Sequence, residues 1–158
     1  MTTLTQAEKR FLVDRSRSDP DYFWSSILGC STVYDKQLDM ARAVRDHNRV
    51  AVVGANGTGK DWQSARVMLW WMATRYPAIC VVLGPTHRQV SDIVWKEARN
   101  AYLTSRTPLG GQMFRTSRWE LDDRHYAVGF ATDNEYNIQG FHSPNLLCLL
   151  YTSPSPRD

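Results

Sequence analysis

The feature that most constrains this chain is the run Gly54-Ala55-Asn56-Gly57-Thr58-Gly59-Lys60, set between a β-branched stretch and a helical one. It has the pattern G-x-x-x-x-G-K. Glycines let a backbone curl until several N–H groups point at one phosphate. A helix opening at Lys60 adds its positive dipole end, and the lysine ammonium can reach the β- and γ-phosphates. The motif is short enough to arise by chance, and an ordinary Gly-rich turn is the plainer reading. Its placement after an apolar strand and before a helix is what points to a nucleotide. The expected ATP contacts are Gly54, Ala55, Asn56, Gly57, Thr58, Gly59, Lys60 and Asp61, with Lys60 as the catalytic cation.

One position departs from the pattern. A Ser or Thr normally follows the lysine and puts a hydroxyl on Mg²⁺; here Asp61 stands there. A carboxylate also ligates Mg²⁺, but it adds negative charge beside the phosphates. Either Asp61 takes the metal, directly or through water, or the metal is held weakly. The first is the expectation.

The rest of the chain supplies a frame for that loop. Leu4 to Arg17 reads as a polar-faced helix with Ala7, Phe11 and Leu12 on one side. Asp19-Pro20 is a helix start, Asp as N-cap and Pro in the first position, and Gly29 is the stop. Tyr34 to His47 reads as a third helix, with Leu38, Ala41 and Val44 at helical spacing. Arg49 to Val53 reads as a buried parallel strand, Trp62 to Tyr76 as a helix, and Ala78 to Leu83 as a second buried strand. Gln89 to Tyr102 follows as a helix with Val90, Ile93, Val94 and Ala98 inward. Thr107 to Gly111 is a loop. Arg118 to Leu121, Tyr126 to Thr132 and the start at Asn145 to Leu147 are strands. Alternating strands and helices predict an α/β fold of the P-loop NTPase kind: a partial parallel sheet with helices on both faces, preceded by N-terminal helices. The expected division is 1–48 helical, 49–147 ATPase core and 148–158 tail.

Composition excludes several classes. The 158 residues suffice for one real core, and a net charge of +3 does not by itself argue for nucleic acid. Cys30, Cys80 and Cys148 are scattered and show no metal-ligand spacing; with the histidines also dispersed, they suggest a reducing, intracellular setting. The polar N-terminus has no signal-peptide core, and no apolar run approaches a membrane span. The six tryptophans are read chiefly as core.

Several phrases together resemble the large terminases of tailed phages. Tyr34-Asp-Lys-Gln37 lies ahead of the loop strand, where that family reads adenine through a glutamine amide, which can donate and accept at once. A surface glutamine is the other reading. Gly84-Pro-Thr86-His-Arg88-Gln89 resembles the family's "PT, then Gln" segment at a strand's C-terminal end, a usual ligand position in α/β sheets. There Thr86, Arg88 and Gln89 could touch DNA or phosphates, and Thr86 could equally cap a helix. Pro108 to Gly111, Ala127 to Asn134 and Gln139-Gly-Phe-His142-Ser-Pro-Asn-Leu-Leu147 also match, so the resemblance covers about residues 20 to 147. It implies ATP and Mg²⁺ as cofactors and double-stranded DNA, a portal and a small terminase subunit as partners. It further implies a homo-oligomeric ring, no membrane, and the host bacterial cytoplasm as location. An arginine would stabilise the transition state; Arg49 and Arg66 are candidates by position.

In that family the last apolar strand ends in Asp-Glu, which hold the metal and polarise water. Here Leu147 is followed by Cys148-Leu-Leu-Tyr-Thr-Ser-Pro-Ser-Pro-Arg-Asp158. This string is identified as the translation of a transposase-based sequencing adapter, and the Leu147 codon permits that frame. Cys148 to Asp158 is therefore expected to be foreign to the fold, a genuine Ser/Pro-rich tail being the alternative. The parent is expected to continue into the carboxylates and a metal-dependent nuclease, and this chain to hydrolyse little ATP. Two rivals stay open. One is a small nucleotide kinase with lid arginines among Arg115, Arg118 and Arg124. The other is a non-enzymatic nucleotide- or DNA-binding module with a degenerate loop.

Overall fold

The computed structural model describes residues 3–54, 58–132 and 139–151. Helix α1 (Gln6–Ser18) starts with a capping box in which Thr5 and Glu8 satisfy each other's backbone N–H groups. Its expected apolar side faces outward, with Phe11 63% exposed. Asp19 caps α2 (Pro20–Tyr22) through Oδ1, accepting from the N–H groups of Asp21 and Tyr22. The helix runs on in π geometry over Phe23–Leu28 and stops at Gly29, which is left-handed with φ 82°. Helix α3 (Asp35–Asp46) buries Leu38 and Ala41.

Helix α4 (Lys60–Thr74) is the centre of the molecule. Every residue from Gln63 to Trp70 is buried, so its sequence carries no polar stripe. It packs against α1, α3 and α5 (Lys96–Leu103) as well as the sheet, and α5 also reaches the sheet through Tyr102, whose ring meets Trp119 edge-on at 5.6 Å. A π-helical stretch, Arg88–Trp95, leads into α5. Val90 of this stretch wedges so closely onto the sheet that a side chain at Gly84 or Gly129 would meet it at 2.9 and 2.8 Å.

The sheet has five strands in the order β2-β3-β4-β1-β5. They are β1 (Ile79–Gly84), β2 (Gln112–Phe114), β3 (Arg118–Asp122), β4 (His125–Ala131) and β5 (Leu146–Leu150). Interior β1 is wholly buried and parallel to β4 and β5, with Val81 opposite Val128 and Cys148. The pairs β2–β3 and β3–β4 are antiparallel. The sheet is therefore mixed, where a parallel one was expected, because the tight turn between β3 and β4 returns the chain as a hairpin.

Two further expectations are corrected. Arg49 to Val53 is not a strand: Val50, Val52 and Val53 are 40%, 43% and 98% exposed. The outer edge of β5 carries no partner strand among the described residues, and this segment does not pair with it. Nor do the described helices cover both faces. The larger core joins helical residues to Cys80, Val82, Ala127, Leu147 and Leu149. On the other face Ile79, Val81 and Leu83 pack with Tyr126, Val128, Phe130 and Phe141, and no helical residue joins them among the described residues. Cys148 to Leu150 complete β5, and residues 152–158 lie outside the described residues. Trp24, Trp70, Trp95 and Trp119 are fully buried, as core tryptophans should be. No described helix is long and apolar enough to cross a membrane.

Candidate nucleotide site

The loop and α4 meet at Gly59, which is left-handed with φ 78° and serves as the N-cap of α4. Only a residue without Cβ takes that conformation without strain. Gln63 N–H bonds back to its carbonyl at 2.9 Å, so helical geometry begins at once. The remaining amides of the first turn point toward the loop, and the dipole there favours an anion.

Gly54 and Thr58 close the two ends of the loop: a Cβ at Gly54 would lie 2.9 Å from Thr58 Oγ1. The Lys60 ammonium folds across that mouth and donates to the carbonyl of Gly54. It has no carboxylate partner among the described residues, so an arriving phosphate would exchange a neutral acceptor for an anionic one. Ala55, Asn56 and Gly57 lie outside the described residues.

Gln37 comes to the same place from α3. Its Oε1 accepts the backbone N–H of Tyr34 at 3.1 Å. Its Nε2 lies against Gly59, 3.3 Å from where a Cβ would stand. The structure thus brings Gln37, Gly54, Gly59 and Lys60 together from positions far apart in sequence.

Asp61 is part-buried in the first turn. Partial desolvation raises its pKa; Lys60 opposes this, and the Glu97 carboxylate adds to it. It makes no hydrogen bond among the described residues. Such a carboxyl, short of water and near a second carboxylate, suits a hydrated divalent cation.

Behind Asp61, Arg66 is 7% exposed and stacks over the Trp62 ring at 3.9 Å. It donates to Glu97 at 3.3 Å and to the Trp62 carbonyl at 3.1 Å. A candidate transition-state arginine is thereby committed to a structural pair. Arg49 sits exposed on the unpaired 49–53 segment. A pocket of about 300 Å³ opens beside this turn, walled by Cys30, Ser31, Thr32, Trp62, Arg66 and Thr104. Sequence reasoning missed it, because its walls come from three separated segments and no local spacing announces it.

Thr86 acts as an N-cap, its Oγ1 accepting Gln89 N–H at 3.2 Å. This segment leaves the C-terminal end of β1, where Gly84 touches Tyr151. Tyr151 follows β5 at the same end of the sheet, its backbone N–H donating to the Leu83 carbonyl at 2.8 Å. Of the three lid candidates, Arg118 pairs with Glu120 at 3.0 Å and stacks on Tyr126, on the hairpin at the far side of the sheet from β5. No known family model matches the chain, and no curated protein matches it.

Proposed function

We propose that this chain is the ATP-binding part of a viral DNA-packaging motor of the large-terminase kind, a P-loop ATPase that couples ATP hydrolysis to translocation of duplex DNA. One observation supports it most: the Lys60 ammonium at the N-terminus of a buried helix, folded over a glycine loop onto the carbonyl of Gly54. The Gln37 amide at Gly59 adds a second recognition group of the right chemistry for an adenine edge.

ATP and Mg²⁺ fit the donors present. Lys60 and the first-turn amides would hold the phosphates, and Asp61 would hold the metal, which supplies charge neutralisation when bound. Within this chain, Lys60 orients the phosphate and Asp61 adjusts the local charge. Portal, small subunit and a ring of copies belong to the same proposal, as does the host cytoplasm. A second reading, a binding module without turnover, is favoured by the exposed 49–53 segment, since a loop that follows a segment outside the sheet is less rigidly held.

The test is ATP titration followed by intrinsic tryptophan emission, Trp62 lying two residues beyond Lys60. Lys60→Ala should weaken ATP at least tenfold and shift the urea midpoint little. Equal affinity in the two proteins would overturn nucleotide binding. Duplex binding that is indifferent to ATP would favour the module.

A further inference from the structure

The far end of α4 holds a charge that the proposed nucleotide chemistry does not use. Arg75 is the C-cap of α4 and is 7% exposed. Its guanidinium lies 3.8 Å from the Trp71 ring centre and 4.5 Å from that of Trp70. Both indoles are pinned. Trp70 Nε1 donates to the Ser16 carbonyl at 2.7 Å, and Trp71 Nε1 to the Asn145 carbonyl at 3.2 Å. The guanidinium is therefore held in place before any partner arrives.

Its single hydrogen bond among the described residues runs from Nη1 to Thr74 Oγ1 at 2.9 Å, a neutral acceptor. No carboxylate lies within ion-pair distance among the described residues. Arg66 Nε is sealed and unpartnered, but no nitrogen of Arg75 is. Its Nε and Nη2, having no partner, therefore reach the surface. The Trp70–Ser16 bond also brings the last turn of α1 here, and with it Arg17, which is exposed. Burial and, to a lesser extent, the Arg17 charge lower the Arg75 pKa to about 10. Buried guanidinium groups are normally answered by an anion. Here two helix C-termini offer only partial negative charge.

We propose that Arg75 and Arg17 form a phosphate-binding site at the C-terminal end of α4, separate from the glycine loop at the other end. With 15 residues, α4 sets the two roughly 22 Å apart at 1.5 Å per residue. A fixed planar fork and an exposed second cation on another element suit a tetrahedral anion, which has oxygens for both. The phosphate could be free or part of a nucleic-acid backbone, the latter read without regard to sequence.

The experiment uses the 158-residue chain carrying Lys60→Ala, so that the loop lysine is absent. It is titrated with inorganic phosphate, read by tryptophan emission, and separately with a labelled short duplex, read by anisotropy. Saturable binding is expected. Arg75→Gln should abolish it, and Arg17→Ala should weaken it at least fivefold with an unchanged urea midpoint. Because Arg17 is exposed, that variant decides the matter even where Arg75→Gln fails to fold. A duplex bound more than tenfold tighter than phosphate assigns the site to a backbone; equal or better binding of phosphate assigns it to the free anion. No saturable binding of either probe, or binding indifferent to both substitutions, would overturn the proposal.

Discussion

Arg66, midway along α4, and Arg75, at its C-terminal cap, sit in nearly the same aromatic setting, with ring distances of 3.9 and 3.8 Å. Arg66 is closed by Glu97, while Arg75 meets only a hydroxyl. Stacking on an indole offsets part of the desolvation of a guanidinium, but a carboxylate decides whether the charge is neutralised. The surroundings differ as well. Trp62 is half-buried beside a pocket, whereas Trp70 is sealed and bonded to α1. One end of α4 is built to admit a ligand to a loop, and the other to hold two elements still.

The sharpest way to break this contrast is truncation of the two indoles. Trp70→Ala should cost about 3–5 kcal/mol, as a fully buried aromatic does. Trp62→Ala should cost about 1–2 kcal/mol, since less apolar area leaves water there and one cation–π contact is lost. Urea unfolding of both variants measures the difference, and equal losses would erase the distinction between the two ends.

Glu97→Gln makes Arg66 resemble Arg75. The expected loss is about 1–2 kcal/mol, below that of a fully buried pair because the Glu97 side chain is 39% exposed. A loss near that of a surface pair, about 0.3 kcal/mol, would show that stacking alone suffices.

The smallest effect concerns Asp61. Its folded pKa is raised, so the native state binds a proton more readily than the unfolded chain, and its ionisation costs stability as pH rises through that value. Asp61→Asn should therefore raise the Tm at pH 7 by about 1–2 °C and do nothing below about pH 3.5. The same variant should weaken Mg²⁺-dependent ATP affinity. A Tm gain that persists at low pH would show that charge is not the cause.

Much of the frame was legible because its signals are local. Asp19-Pro20 and Gly29 bound a helix by their own backbone preferences, and Gly59-Lys60 opens α4 for the same reason. The apolar run through Ile79 to Leu83 became a wholly buried interior strand. What failed depended on partners. Val50 to Val53 has a strand's composition but pairs with no strand among the described residues. Gln112–Phe114 became β2 only because Arg118–Asp122 offered an edge. Gln37 and Lys60 were found by motif. The Glu97 partnership and the tryptophan clamp on Arg75 were not, since charge pairing across 31 positions leaves no periodic trace.

The two indole hydrogen bonds of α4 also have a mechanical meaning. Trp70 ties the helix to Ser16 and Trp71 ties it to Asn145, immediately before β5. The helix is thus a pushrod hooked at one end to two distant parts of the chain. An axial slip of one residue, about 1.5 Å, would stretch both hooks beyond hydrogen-bonding distance or drag both neighbours along. Any displacement begun at Lys60 is therefore delivered, about three turns away, to α1 and to the edge strand at once.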